Sequence, residues 1–170
     1  MATRIVVMKD GLIQQVDTPQ NLYDAPCNIF VAGFIGTPQM NFITGKLTKK
    51  GEDVFFNFEN VSLKLPKEKA EAPELADYIG QEVVVGLRPE GISDDAKVVE
   101  ANPDSSLDVS VDVTELMGAE IYLYLTINET NLIARVSSRS LSRAGDKIKV
   151  AFDMSRLHIF DKDTERCIIH

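Results

Sequence analysis

From Leu107 to Thr114 apolar and polar residues alternate without one exception, Leu107, Val109, Val111 and Val113 against Asp108, Ser110, Asp112 and Thr114. A period of two is the mark of a strand with one buried face. The same period runs through Val54, Phe56 and Phe58, through Val61 and Leu63, and through Ile121, Leu123, Leu125 and Ile127. After a polar turn at Asn128–Asn131, Leu132–Val136 reads as a return strand, and Ile148, Val150 and Phe152 point one way from the next. Leu157–Phe160 and Arg166–Ile169 form a last hairpin around Asp161-Lys162-Asp163-Thr164. Short strands with turns about every 8 to 12 residues predict a small β barrel or sandwich. The charged run Lys67–Asp77 is the exception, read as a surface stretch with one helical turn after Pro73.

Val83–Ile92, VVVGLRPEGI, is the segment around which these strands are organised. Three β-branched residues enter Gly86, and the strand breaks at Arg88-Pro89. A residue before proline is pushed out of the helical region, and proline cannot donate to a ladder. Arg88 and Glu90 therefore project from a rigid corner, where they either pair with each other or grip another element.

The first forty residues follow different rules. Arg4–Met8 and Leu12–Val16 are strands joined by Lys9-Asp10-Gly11, the Asp-Gly signal of a tight hairpin. Ile5, Val6 and Val7 in a row predict a strand covered on both faces, which suggests that this hairpin closes a larger domain. It is expected to pack on the second helix or to join the sheet of a second copy. Met1-Ala2 ahead of Thr3 reads as an added start. Thr18-Pro19 starts a short helix through Leu22 and Tyr23 that stops before Pro26. A second helix, Asn28 to Ile35, stacks Phe30 on Phe34 and ends at Gly36. Being nearly all apolar, it must be sandwiched or docked.

Chemistry is scarce. The motifs GxxxxGK[ST] and GxGxxG do not occur, so the sequence has no signature for cradling nucleotide phosphates. Cys27 and Cys167 lie in no metal-ligand spacing and read as free thiols in a reducing, cytoplasmic setting. His158 sits in an apolar strand, as a strand-face imidazole would. Asp161, Asp163 and Glu165 begin like a calcium loop, but Arg166 stands where that loop needs glycine, so a solvated turn is the simpler reading. Gly118 marks either a bulge where a ligand or backbone approaches, or a plain turn. With 18 basic against 26 acidic residues the net charge is -8, which opposes nucleic acid and anionic lipid. No catalytic, cofactor or metal residues can be nominated.

Six motifs, in order along almost the whole chain, carry a family resemblance. They are RIVVMKDG (residues 4–11), QVDTPQNLY (15–23) with Pro26, FVAGFIG (30–36), MNF (40–42), GLRPE (86–90) and ELMGAE (115–120). Together they resemble the C-terminal part of the ATPase subunits of sugar-importing ABC transporters of the maltose and multiple-sugar type. The resemblance implies that residues 1–41 are the terminal hairpin and linker helices of a nucleotide-binding domain, and 42–170 an OB-like β-barrel regulatory domain. The fold it implies is mainly β, with an N-terminal hairpin and two short helices.

In that family the ATP-hydrolysis motifs lie upstream of the hairpin, so this chain is expected to be no enzyme, with ATP and magnesium belonging to the full-length parent. The resemblance also implies a homodimer through the regulatory domain, permease subunits as partners of the parent, and a sugar-phosphotransferase protein as a regulator. It places the parent peripherally at the inner face of the membrane. The candidate contact residues are Arg88, Pro89 and Glu90 at the corner, and Glu115, Leu116, Met117, Gly118 and Glu120 at the turn. The alternative is an oxyanion-binding domain, as in molybdate importers, which the acidic balance disfavours.

Overall fold

The computed structural model describes residues 3–170, so the reading of Met1-Ala2 lies outside the described residues. Two strands, β1 (Ile5–Lys9) and β2 (Leu12–Asp17), pair as an antiparallel hairpin. Asp10 and Gly11 both take positive φ, as a tight turn of this kind requires. Helix α1 (Pro19–Asp24) starts where Thr18 accepts from the Asn21 amide, and α2 (Ile29–Phe34) starts where Asn28 accepts from the Val31 amide. Phe30 and Phe34 stack with centroids 5.7 Å apart.

The barrel strands are β3 (Asn41–Lys50), β4 (Asp53–Phe58), β5 (Val61–Lys64), β6 (Glu82–Leu87), β7 (Ile92–Ser93), β8 (Ser106–Leu116), β9 (Glu120–Ile127), β10 (Thr130–Ser137), β11 (Lys147–Phe152), β12 (His158–Asp161) and β13 (Cys167–Ile169). Two short helices, α3 (Lys67–Ala70) and α4 (Ala96–Ala101), interrupt them. One sheet runs β13-β12-β6-β3-β4-β5 and the other β10-β9-β8-β11-β7, both antiparallel where strands pair. They form a nearly closed, mainly β barrel. Its core lies between the sheets and includes Leu47, Phe56, Leu87, Val111, Leu123, Leu125, Leu132, Val150 and Ile159. Asn41 clamps the two sheets together, its side-chain amide donating to the carbonyls of Leu87 (3.1 Å) and Ile133 (2.9 Å) while its oxygen accepts from the Ile133 amide (2.7 Å).

Three expectations change. Strand β8 carries a bulge at Asp112, since Val111 pairs with Leu125 while Val113 pairs with Tyr124. The extra residue reverses which side faces inward. Val109 and Val111 are buried, but Val113 is 52% exposed. The charged run 67–77 is partly interior, for Leu75 is fully buried and Lys69 is 8% exposed. Strand β1 is covered on one face only. Val7 is buried with Leu22 of α1 and Val31 of α2, so the hairpin does pack on the helices, while Val6 and Met8 are exposed.

Candidate functional site

At the corner after β6, Arg88 is extended (φ −69°, ψ 150°), as its place before Pro89 dictates, and residues 89–91 make a 3-10 turn. The guanidinium turns back beneath the helices instead of toward solvent, and Arg88 is only 5% exposed. Its Nη1 donates to the carbonyls of Ile35 (2.6 Å) and Ala32 (3.4 Å), and its Nη2 to that of Tyr23 (2.6 Å). These oxygens belong to the C-terminal ends of α1 and α2, which have no partner within their own helix and favour a cation. The guanidinium also lies over the Tyr23 ring, 3.7 Å from its centroid. Gly36 makes room, because a Cβ there would come within 2.9 Å of Nη1.

Glu90 completes the corner. Its carboxylate accepts from the Tyr23 hydroxyl and lies 3.8 Å from both Arg135 and Arg156. Burial first, and then the neighbouring Glu90 carboxylate, push the Tyr23 phenol up to about 12. Of the two readings of this corner, gripping another element is the one realised. Arg88 and Glu90 lock the helices to the barrel, and Pro89 is buried with them.

The turn between β8 and β9 is built in the opposite sense. Leu116 is 78% exposed and Met117 52%, an apolar pair at the tip of the turn, while Val113 lies on the opposite face of β8 from Leu116. Glu115 accepts from Tyr124 (3.0 Å), which raises the phenol, and Glu120 lies 3.6 Å from Arg135. Gly118 has φ 83° with open space where a Cβ would stand, so it serves a plain turn. Arg135, on β10, thus lies between Glu90 of the corner and Glu120 of the tip.

Sequence reasoning missed Tyr23, Arg135 and Arg156, whose roles depend on neighbours far along the chain. It also missed a third constellation. His158, Cys167 and His170 present ligand atoms within 4.8 Å of one another. His158 does sit buried on its strand, beside Phe160, as a packed imidazole. The Asp161 turn is a hydrogen-bonded cap, its carboxylate accepting from the Asp163 and Thr164 amides and from the Tyr78 hydroxyl. No helix among the described residues is long and apolar enough to cross a membrane.

Comparison with known proteins gives these features a context. Residues 36–92 match the MalK OB fold domain and residues 85–160 the TOBE domain. The oligosaccharides import ATP-binding protein MsmX of Bacillus subtilis is 47% identical over 165 residues, which is 97% of this chain and 44% of that protein. The trehalose/maltose import ATP-binding protein MalK of Thermococcus litoralis is 38% identical, over 99% of this chain and 45% of that one. The chain therefore spans less than half the length of these relatives. Among solved structures, the cytoplasmic molybdate-binding protein ModG aligns with a TM-score of 0.52 at 14% identity, over 70% of this chain and 94% of that one, a likeness of fold alone. With OB and TOBE domains that together span residues 36–160, this chain is homologous to the C-terminal region of the ATP-binding subunits of sugar importers of the MsmX and MalK kind.

Proposed function

We propose that this chain is the regulatory and dimerising C-terminal module of a sugar importer's ATP-binding subunit. Residues 1–41 then serve as the end of the nucleotide-binding domain and its linker, and 42–170 as the OB-like module. The start of the OB match at residue 36 supports that division. ATP, magnesium and turnover belong to the remainder of the parent, permease subunits are its membrane partners, and a sugar-phosphotransferase protein is the candidate regulator. The parent works at the inner face of the membrane.

The observation that carries the dimerising role is the pair Leu116 and Met117, large apolar side chains exposed at the β8–β9 turn. A stable self-contact needs roughly 800 Å² from each partner, with an apolar centre and a polar rim. The tip supplies the centre, and Glu115 and Glu120 the rim. Sedimentation equilibrium across a wide concentration range tests the reading. A dimer that dissociates on dilution, and is lost in Leu116→Glu and Met117→Glu, is the expected result. A strict monomer at high concentration would overturn it.

The likeness of fold to ModG, solved with molybdate bound, supplies the rival reading of an oxyanion site. The net charge of -8 and the carboxylates at the tip argue against it. Saturable heat on titrating molybdate would favour the rival.

A further inference from the structure

The last hairpin gathers three soft donors that sequence spacing keeps apart. Strands β12 and β13 pair antiparallel with Ile159 opposite Ile169, and a register shift follows between Ile159 and Phe160. That pairing sets His158 beside His170. The His170 Nδ1 lies 3.4 Å from the His158 Nδ1 and 3.3 Å from the Cys167 Sγ. In a tetrahedral site with metal–nitrogen bonds of about 2.0 to 2.1 Å and metal–sulfur bonds of about 2.3 Å, ligand atoms stand roughly 3.3 to 3.6 Å apart. The 3.4 Å between the imidazole nitrogens falls at the nitrogen–nitrogen spacing, the 3.3 Å between sulfur and nitrogen is a little inside the roughly 3.5 Å of a sulfur–nitrogen pair, and all three atoms lie within 4.8 Å.

The surroundings match a site and not merely a contact. The Lys69 Nζ donates to the His170 carbonyl (2.5 Å), fastening that residue to the barrel. The imidazoles also line a cavity of about 190 Å³ with Tyr23, Asp24, Arg88, Gly91, Ser155 and Arg156, which leaves room for a fourth ligand. The Cys167 thiol donates to the Ile169 carbonyl (3.2 Å), so a bound ion must displace that proton.

We propose that His158, Cys167 and His170 form a three-ligand site for a thiophilic d10 cation, cuprous copper or zinc. Two imidazoles and one thiolate suit this class of ion, and the donor set disfavours oxygen-seeking cations such as magnesium or calcium. Charge favours copper within the class. Lys69, Arg88 and Arg156 stand nearby against Asp24, and cuprous copper with one thiolate is neutral, whereas zinc with one thiolate retains a positive charge.

Each metal is titrated alone into the reduced chain, zinc in air-equilibrated buffer and cuprous copper anaerobically, against a chelator of known affinity. One equivalent should bind, X-ray absorption should show one sulfur with two imidazole nitrogens, and the melting temperature should rise. Cys167→Ser and His170→Gln should each weaken binding at least tenfold, while Cys27→Ser leaves it unchanged. His170→Gln lies at the edge of the barrel, so circular dichroism can confirm that its fold is intact. Tighter binding of copper than of zinc supports the charge argument, and the reverse order overturns that part. Failure of both metals to bind at one equivalent, or binding that survives Cys167→Ser and His170→Gln together, overturns the site, and neither outcome bears on self-association through the β8–β9 tip.

Discussion

The corner at 88–90 and the tip at 115–120 look alike as sequence, each a short turn with charged residues, yet they are used in opposite ways. The corner carries an arginine, a proline and a glutamate, burying Arg88 beneath α1 and α2, Pro89 with it, and half-burying Glu90 against Tyr23. The tip carries a leucine and a methionine, and exposes them. Polarity alone therefore does not decide what faces water. At the corner the free carbonyls of two helix ends need a donor, and a buried guanidinium with several N–H groups meets that need better than solvent that cannot reach them. At the tip each strand end is already paired, so the side chains have no interior task.

The sharpest break of this contrast is Arg88→Met. It removes one side chain that serves the carbonyls of Tyr23, Ala32 and Ile35. A loss of about 3 kcal/mol in urea unfolding is expected, as for one partner removed from a buried charge network. A loss below about 1 kcal/mol would return Arg88 to the surface role.

Within β8 the contrast narrows to two valines, one on each side of the bulge. Val111→Thr should cost about 1 to 3 kcal/mol by burying a hydroxyl, and Val113→Thr less than about 0.5 kcal/mol. Equal costs in the same unfolding assay would mean the strand runs without an inserted residue.

At concentrations where the chain is monomeric, Leu116→Glu and Met117→Glu should leave unfolding free energy within about 0.5 kcal/mol of the parent chain, because both side chains are exposed in the monomer. A large destabilisation of the monomer, measured by chemical denaturation under the same dilute conditions, would place the tip in the core and remove the contrast altogether.

The smallest effect concerns acid. The amides of Thr164 and Asp163 and the Tyr78 hydroxyl hold the Asp161 carboxyl below the usual carboxylate range. A depressed carboxyl contributes stability above its unfolded pKa and loses it as pH falls through the folded value. Protection against amide exchange in residues 161–167, taken relative to the intrinsic rate at each pH, should therefore fall below about pH 4 in the native chain, and Asp161→Asn should flatten that dependence. An unchanged profile in the variant counts against the cap.

Local signals made much of the fold legible. Asp10-Gly11 announced the hairpin, Thr18-Pro19 and Asn28 the two helix starts, and Ile121 to Ile127 a strand with every second residue buried. The GLRPE corner was legible as a corner. Its partners were not, because Tyr23, Ala32 and Ile35 lie more than fifty residues upstream of Arg88. Val113 misled because an inserted residue inside an alternating run leaves the alternation of letters intact while turning the backbone. Lys69 misled because a lysine with a carbonyl at hand can be drawn inside. The His158, Cys167 and His170 grouping carried no spacing signal, since only strand pairing brings 158 beside 170.

Arg135 gives the corner and the tip a common dependency. One guanidinium faces Glu90 at 3.8 Å and Glu120 at 3.6 Å, so neither carboxylate has it exclusively. Substitutions at the two glutamates should then show energetic coupling instead of simple addition, with the second change costing a different amount once the first has redirected the shared cation. A surface loop and a helix anchor on different strands are, in that sense, one thermodynamic unit.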